Sequence, residues 1–196
     1  VKANAEAYFR EAGKLLDIER VEKRSNAEWL HQLSYGEIGE HADQFSVADF
    51  IARDNIKRRL DAGKRVSLRE VLYPLMQGYD SVAVKSDVEL GGTDQRFNLL
   101  AGRTLQAHYK EEPQNIVMTG LLLGLDGRKM SSSWGNAISF TDTPENMFGK
   151  MMSIKDELIE KYFRALTRMP LGQVSLHVSG HHKEAKLALA HELVRM

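Results

Sequence analysis

Val88-Glu89-Leu90-Gly91-Gly92-Thr93-Asp94-Gln95 decides how this chain is read. Asp87 to Leu90 has the composition of a short strand ending on the glycine pair. Thr93 or Asp94 then stands where a helix reaching about His108 would be capped. In open α/β sheets ligands bind at the carboxyl ends of the strands. Two glycines there let backbone approach a ligand, Asp94 can accept hydrogen bonds from ribose hydroxyls, and Gln95 can orient a carbonyl. A glycine turn followed by an Asp cap accounts for the same letters, and the segment alone does not choose between the two.

Downstream, Ile116 to Leu123 is a continuous apolar run, read as a buried strand, and Asp126-Gly127 is a tight-turn signal. Gly127-Arg128-Lys129-Met130-Ser131-Ser132-Ser133 follows, with Gly135 just beyond. Cations, hydroxyls and backbone N–H groups on a glycine-flanked loop can close on a polyphosphate. Serine-rich loops beside a lysine are also common as plain connectors; a place directly after a strand favours the phosphate site.

Upstream, Ser67-Leu68-Arg69-Glu70 is a capping box that opens a helix to about Ser81, kinked at Pro74. Tyr73, Gln77 and Asp80 fall within about 60° of one another on that helix, opposite Leu68, Val71 and Leu75. A phenol, an amide and a carboxylate on one face suit a small polar ligand such as an amino acid. An ordinary solvated face is the plainer alternative.

The order from Ser67 onward is helix, strand, helix, strand, loop, helices. It predicts the second half of a parallel α/β sheet, with further strands expected before Val1. Residues 1–66 read as a mainly helical element: a helix over 2–16, a short strand over 18–23, a helix from Ser25-Asn26-Ala27-Glu28 through Leu33, and another over 46–62. Thr143-Pro144 starts the next helix, and two more are expected near 156–167 and 183–195.

Equal numbers of basic and acidic residues, 27 each in a chain of 196, leave net charge uninformative about nucleic acid or membranes. The lack of cysteine excludes disulfides and thiolate chemistry. No apolar run approaches the roughly 20 residues of a membrane span, so a soluble, intracellular protein is expected. The chain starts at Val1 and ends within a helical pattern at Met196, which suggests a fragment or a processed chain. His177, His181 and His182 are read as a solvated loop rather than a metal site, and no metal site is expected. Met147, Met151 and Met152 are read as core packing.

Three ordered motifs, Tyr73 to Asp80, Leu90 to Gln95 and Lys129 to Ser133, resemble the bacterial tyrosyl-tRNA synthetases, which are class I enzymes with a Rossmann-like catalytic sheet. The resemblance extends over nearly the whole chain, including Arg96-Phe97-Asn98-Leu99-Leu100. It implies a division into a helical connective insertion over 1–66 that forms a dimer interface, the C-terminal half of the catalytic domain over 67–143, and linker helices over 144–196. It implies that Tyr73 and Gln77 hold the ammonium end of L-tyrosine, that Asp80 faces the phenol, and that Gln95 lies near the substrate carboxylate. Gly91, Gly92 and Asp94 would serve ATP, with Asp94 on the ribose. Lys129, Ser131, Ser132 and Ser133 would form the mobile catalytic loop around the phosphates of magnesium-bound ATP. Tyrosyl-adenylate formation and transfer to tRNA(Tyr), by a cytoplasmic homodimer, are the implied activity.

Two departures qualify the resemblance. Many family members carry lysine where Ser132 stands, and Arg128 is the neighbouring cation that could replace it. The family's His-x-Gly-His element is absent from the sequence, so this chain by itself is expected to be inactive. A tryptophan-specific relative, or a non-catalytic truncated paralogue that dimerises or binds RNA, are the alternative readings.

Overall fold

The computed structural model describes residues 2–130 and 134–196. Its helices and strands run α1 (Lys2–Ala12), α2 (Ala27–Leu30), α3 (Tyr35–Ala42), α4 (Val47–Ile51), α5 (Asp54–Asp61), α6 (Leu68–Val84), β1 (Val88–Gly92), α7 (Arg96–His108), β2 (Asn115–Thr119), α8 (Pro144–Met152), α9 (Ile159–Leu166), α10 (Leu171–Ser179) and α11 (His182–Val194). Two compact units make up the chain: residues 23–120, and residues 1–22 together with 121–196. Among the described residues, no helix is long and apolar enough to cross a membrane.

In the unit of residues 23–120, β1 and β2 pair in parallel, Val88 opposite Asn115 and Gly92 opposite Thr119, so their carboxyl ends lie side by side. α6 begins with the predicted capping box: Ser67 accepts from the Glu70 N–H while the Glu70 carboxylate accepts from the Ser67 N–H. It runs past Pro74 to Val84 and ends on Lys85 in the left-handed conformation. α6 and α7 approach closely through glycines. A Cβ on Gly78 would lie 3.0 Å from the Ala101 carbonyl carbon, and one on Gly102 would lie 2.4 Å from Ser81 Oγ. Larger side chains would push these helices apart.

α3 docks through His41, which is buried against Tyr79 and Tyr109. Its ring stacks on Tyr79 at 4.9 Å, and Nε2 lies 2.7 Å from the Tyr109 hydroxyl. Burial first, and His108 second, hold the His41 pKa below the ordinary histidine value, against weaker upward pulls from Glu37 and Glu40. Burial also pushes Tyr109 up to about 12, with Tyr79 adding to it. The folded state therefore binds the His41 proton less readily than the unfolded chain does. This contribution to stability is present above the unfolded histidine value of about 6.5 and is lost as pH falls through the depressed folded value. His41→Gln should make stability less dependent on pH across that window, as measured by urea unfolding at a series of pH values. An unchanged slope would mean that His41 does not titrate in this way.

The other unit is built around Met151, Ile154, Leu158, Ile159, Tyr162, Phe163, Val174, Ala185, Leu189 and Ala190. Leu123, Leu125 and Met130 pack on this core from the chain ahead of α8. Thr143 caps α8 by accepting from the Asn146 N–H, with Pro144 in the first turn, as predicted. Met151 packs as expected.

Several boundaries differ from the sequence reading, each for a visible reason. Residues 46–62 form two helices because Arg53 leaves the helical conformation. Its guanidinium turns inward to donate to the Phe50 and Val71 carbonyls and lies over the rings of Phe50 and Phe97. Ile18–Arg20 is a 3₁₀ turn capped by Asp17 rather than a strand. The helix expected through Leu33 stops at Leu30, and of its capping box only the Ser25 N–H to Glu28 bond forms. α3 is an addition to the expected helices, although Ser34 and Glu37 form a complete capping box. Thr93–Gln95 is a 3₁₀ turn ahead of α7. β2 is shorter than the apolar run and is not buried: Val117 is 48% and Met118 41% exposed. α10 separates the last two expected helices, so the histidines are not a loop. His177 stacks on Phe163, His181 caps α11, and His182 bonds Asp156 at 2.9 Å.

Candidate functional site

α6 delivers Tyr73, Gln77 and Asp80 along one face, and the 3₁₀ turn after β1 delivers Asp94 and Gln95. Asn98, three residues into α7, joins the two elements. Its amide donates to Gln77 Oε1 at 2.8 Å and to Gln95 Oε1 at 3.0 Å. Each of these oxygens keeps a second lone pair for a donor such as an ammonium group, while the Gln95 amide nitrogen keeps N–H groups for a carboxylate. Gln77 and Gln95 are thus brought together. Tyr73 stands exposed one turn before Gln77, and Asp94 is exposed at the sheet's carboxyl edge.

Asp80 lies one turn beyond Gln77 and faces α2. Its carboxylate accepts from the Trp29 indole N–H at 2.8 Å and from the Asn26 amide at 3.4 Å. Burial raises the Asp80 pKa. The Trp29 and Asn26 hydrogen bonds pull it back toward the charged form, and the charge of Glu89 pushes it further up. A half-buried carboxylate held by two neutral donors is a prepared acceptor for a third.

The two glycines of β1 need no unusual backbone conformation. Neither takes a positive φ, and Gly92 is extended at φ −70° and ψ 159°. A Cβ on Gly91 would lie 3.2 Å from Leu99 Cδ1, so that position is small in order to seat α7 against the strand.

The Lys129 segment belongs to the other compact unit. Leu123 and Lys129 form an antiparallel bridge, closing a turn over Asp126 and Gly127, where Gly127 takes φ 82°. Asn136 braces this turn from the far side: its amide donates to Asp126 Oδ1 at 2.9 Å and to the Lys129 carbonyl at 3.2 Å. Gly124 must be glycine here, since a Cβ would lie 2.3 Å from Asn136 Nδ2. Bonds from Asn136 first and Arg128 next bring Asp126 down to about 2. Arg128, the neighbouring cation, is engaged locally within this turn. Its guanidinium pairs with Asp126 at 2.6 Å and lies over Trp134 at 5.1 Å. Lys129 has an exposed side chain on a braced backbone. Ser131, Ser132 and Ser133 lie outside the described residues.

Asn98, Trp29, Asn26, Asp126 and Asn136 are not among the site residues named from the sequence. Asn98 follows Gln95 at i+3, a spacing that puts both on one helix face and could have found it. Trp29 and Asn26 lie 51 and 54 residues from Asp80, and no local pattern connects them.

A family model for class I tRNA synthetases (W and Y) matches residues 1–196, and this chain belongs to that family. It is 47% identical over 99% of its length to the tyrosine–tRNA ligase of Cupriavidus pinatubonensis, and 44% identical over 100% to that of Thermotoga maritima. The chain spans about half the length of these curated relatives, 48% and 50% respectively. Among solved structures, the tyrosyl-tRNA synthetase of Archaeoglobus fulgidus complexed with L-tyrosine superposes with a TM-score of 0.65 at 23% identity. The match covers 87% of this chain and 62% of that one. That likeness agrees with an α/β, Rossmann-like class I synthetase fold.

Proposed function

We propose that this chain is part of the catalytic region of a tyrosine–tRNA ligase. The observation that carries the reading is the α6 face. An amide acceptor at Gln77, tied through Asn98 to Gln95, lies one turn from the desolvated carboxylate of Asp80. Such a face suits a ligand with an ammonium group at one end and a hydroxyl donor at the other. Relatives named as tyrosine–tRNA ligases at 44–47% identity support tyrosine over tryptophan and an enzyme over a truncated binding module.

In this reading Tyr73 and Gln77 accept from the substrate ammonium, the Gln95 amide donates to its carboxylate, and Asp80 accepts from its phenol. Gly91, Gly92 and Asp94 receive the ATP ribose side at the strand ends, and Lys129 with Ser131, Ser132 and Ser133 receives the phosphates. The tyrosine carboxylate oxygen bonds to the α-phosphorus, the bond from that phosphorus to the bridging oxygen breaks, and pyrophosphate leaves. The tyrosyl group then passes to the 3′ end of tRNA(Tyr). No side-chain nucleophile is required; orientation and charge stabilisation lower the barrier. Mg²⁺ arrives with ATP. Among the described residues no three His, Asp or Glu side chains converge on a metal position.

Residues 1–66 then act as the connective insertion, 67–143 as the C-terminal half of the catalytic domain, and 144–196 as the linker. A homodimer is supported by the exposed apolar side chains of Tyr35 and Val47, with Leu68 just beyond. Sedimentation equilibrium tests this, and a strictly monomeric full-length protein would contradict it. A cytoplasmic location is part of this reading. Charging of tRNA by the full-length protein, with tyrosine and tryptophan compared, tests the reading: tyrosyl-tRNA is expected, and tryptophanyl-tRNA or no product would overturn it.

A further inference from the structure

Glu89 is the second residue of β1, two residues before Gly91, and is assigned no contact with substrate in the reading above. Its Oε2 accepts from the Ser81 hydroxyl at 2.9 Å and from the Gln114 side-chain amide. Both donors are buried, Ser81 at 3% and Gln114 at 2% exposure. Ser81 is the residue after Asp80 on α6, and Gln114 immediately precedes β2. The arrangement is built around this carboxylate. Gly102 is confined by the same two groups, since a Cβ there would meet Ser81 Oγ at 2.4 Å and Gln114 Nε2 at 2.8 Å. Gln114 is fixed in turn. Its backbone N–H donates to Gln106 Oε1 at 2.8 Å, and Gln106 donates to the Ser86 carbonyl at 3.0 Å.

We infer that Glu89 is a positioning residue for the side-chain end of the amino-acid pocket: it pins the turn of α6 that carries Asp80 to strand β1. The inference rests on the proposed tyrosine-activating function. One carboxylate oxygen holding two buried donors fixes the rotation of α6 about its axis, and that rotation aims Asp80 toward Trp29 and Asn26. If Glu89 were removed, the buried Ser81 hydroxyl would lose this acceptor and the Gln114 amide would keep only the longer bond to the Leu99 carbonyl at 3.4 Å, so the helix would turn to satisfy them. Glu89 also acts through its charge. Trp29 and Asn26 face Asp80 from α2 as neutral donors, and Glu89 opposes ionisation of Asp80 from the side of β1.

The test uses the full-length protein and two variants, with kcat/KM for tyrosine and for phenylalanine measured across the acid range. Phenylalanine has no hydroxyl and serves as the internal control. Glu89→Ala should lower the tyrosine-to-phenylalanine ratio by about tenfold. Glu89→Gln keeps an oxygen acceptor and should hold the ratio within about twofold. Loss of its charge should nonetheless move the acid limb of the tyrosine profile to lower pH, leaving the phenylalanine profile in place. A purely structural role predicts lower thermal stability with both the ratio and the acid limb unchanged, and that result overturns the inference. If Glu89→Ala fails to fold, Ser81→Ala, which removes one of the two bonds to Glu89, decides instead: a lowered tyrosine-to-phenylalanine ratio supports the inference and an unchanged ratio overturns it. A wild-type protein that activates no tyrosine refutes the proposed function instead, which separates the two failures.

Discussion

Lys129→Ala in the full-length protein should slow tyrosyl-adenylate formation by about 10²–10³-fold while tyrosine binding changes little. The lysine sits on a segment whose backbone is hydrogen-bonded to neighbours in its own unit. The Leu123–Lys129 bridge closes it, Asn136 holds the Lys129 carbonyl, and Met130 packs on the core of its unit. A cation on such a support reaches developing charge without reorganising its own backbone. Charge develops on the β- and γ-phosphates only as the bond to the α-phosphorus breaks, so the ammonium acts in the transition state and not on the bound amino acid. Arg128 is paired with Asp126 and lies over Trp134, so the prediction assigns the effect to Lys129. Rapid-quench kinetics of adenylate formation, beside equilibrium dialysis of tyrosine, separate the two quantities. An unchanged rate with weakened tyrosine affinity would refute the assignment.

Asp80→Ala should remove much of the preference for tyrosine over phenylalanine. A preference of about 10⁵ is the established figure for tyrosyl-tRNA synthetases as a class, and it is carried over from them to this chain. Its physical origin is the cost of leaving buried polar groups unpaired when the hydroxyl is missing. Asp80 meets that condition, being half-buried with its two protein partners on the α2 side. Without the carboxylate, phenylalanine no longer strands an acceptor and tyrosine loses a partner, so the two kcat/KM values converge. Because burial raises the Asp80 pKa, the wild-type preference should also weaken toward acid pH earlier than an ordinary aspartate would allow. A ratio unchanged by the substitution would mean that Asp80 only supports α2.

The α6 face, the strand–glycine–helix unit and the cap of α8 are legible in the sequence because each is encoded by near neighbours. Capping boxes, i+4 and i+7 spacings and turn glycines act within a few residues. The partners that prepare the site come from elsewhere in the chain. Trp29 and Asn26 reach Asp80 across the fold, and Asn136 reaches back over the Lys129 turn. The break at Arg53 is hidden for the same reason, since the carbonyl that draws its guanidinium inward belongs to Val71. Apolar content misleads at β2. Ile116 to Leu123 reads as buried, yet α7 packs on the Gly91 side of this two-stranded sheet while Leu90 and Val117, paired on the other face, stay exposed. Gly91 reads as a ligand approach, and its closeness to Leu99 of α7 is a further constraint that no local pattern shows.

Amino-acid-dependent ATP–pyrophosphate exchange by the full-length protein, run with each of the standard amino acids, is the most direct test of tyrosine activation. Exchange that depends on tyrosine, with tryptophan and phenylalanine near background, is the predicted result. Exchange driven by tryptophan, or none with any amino acid, would contradict it.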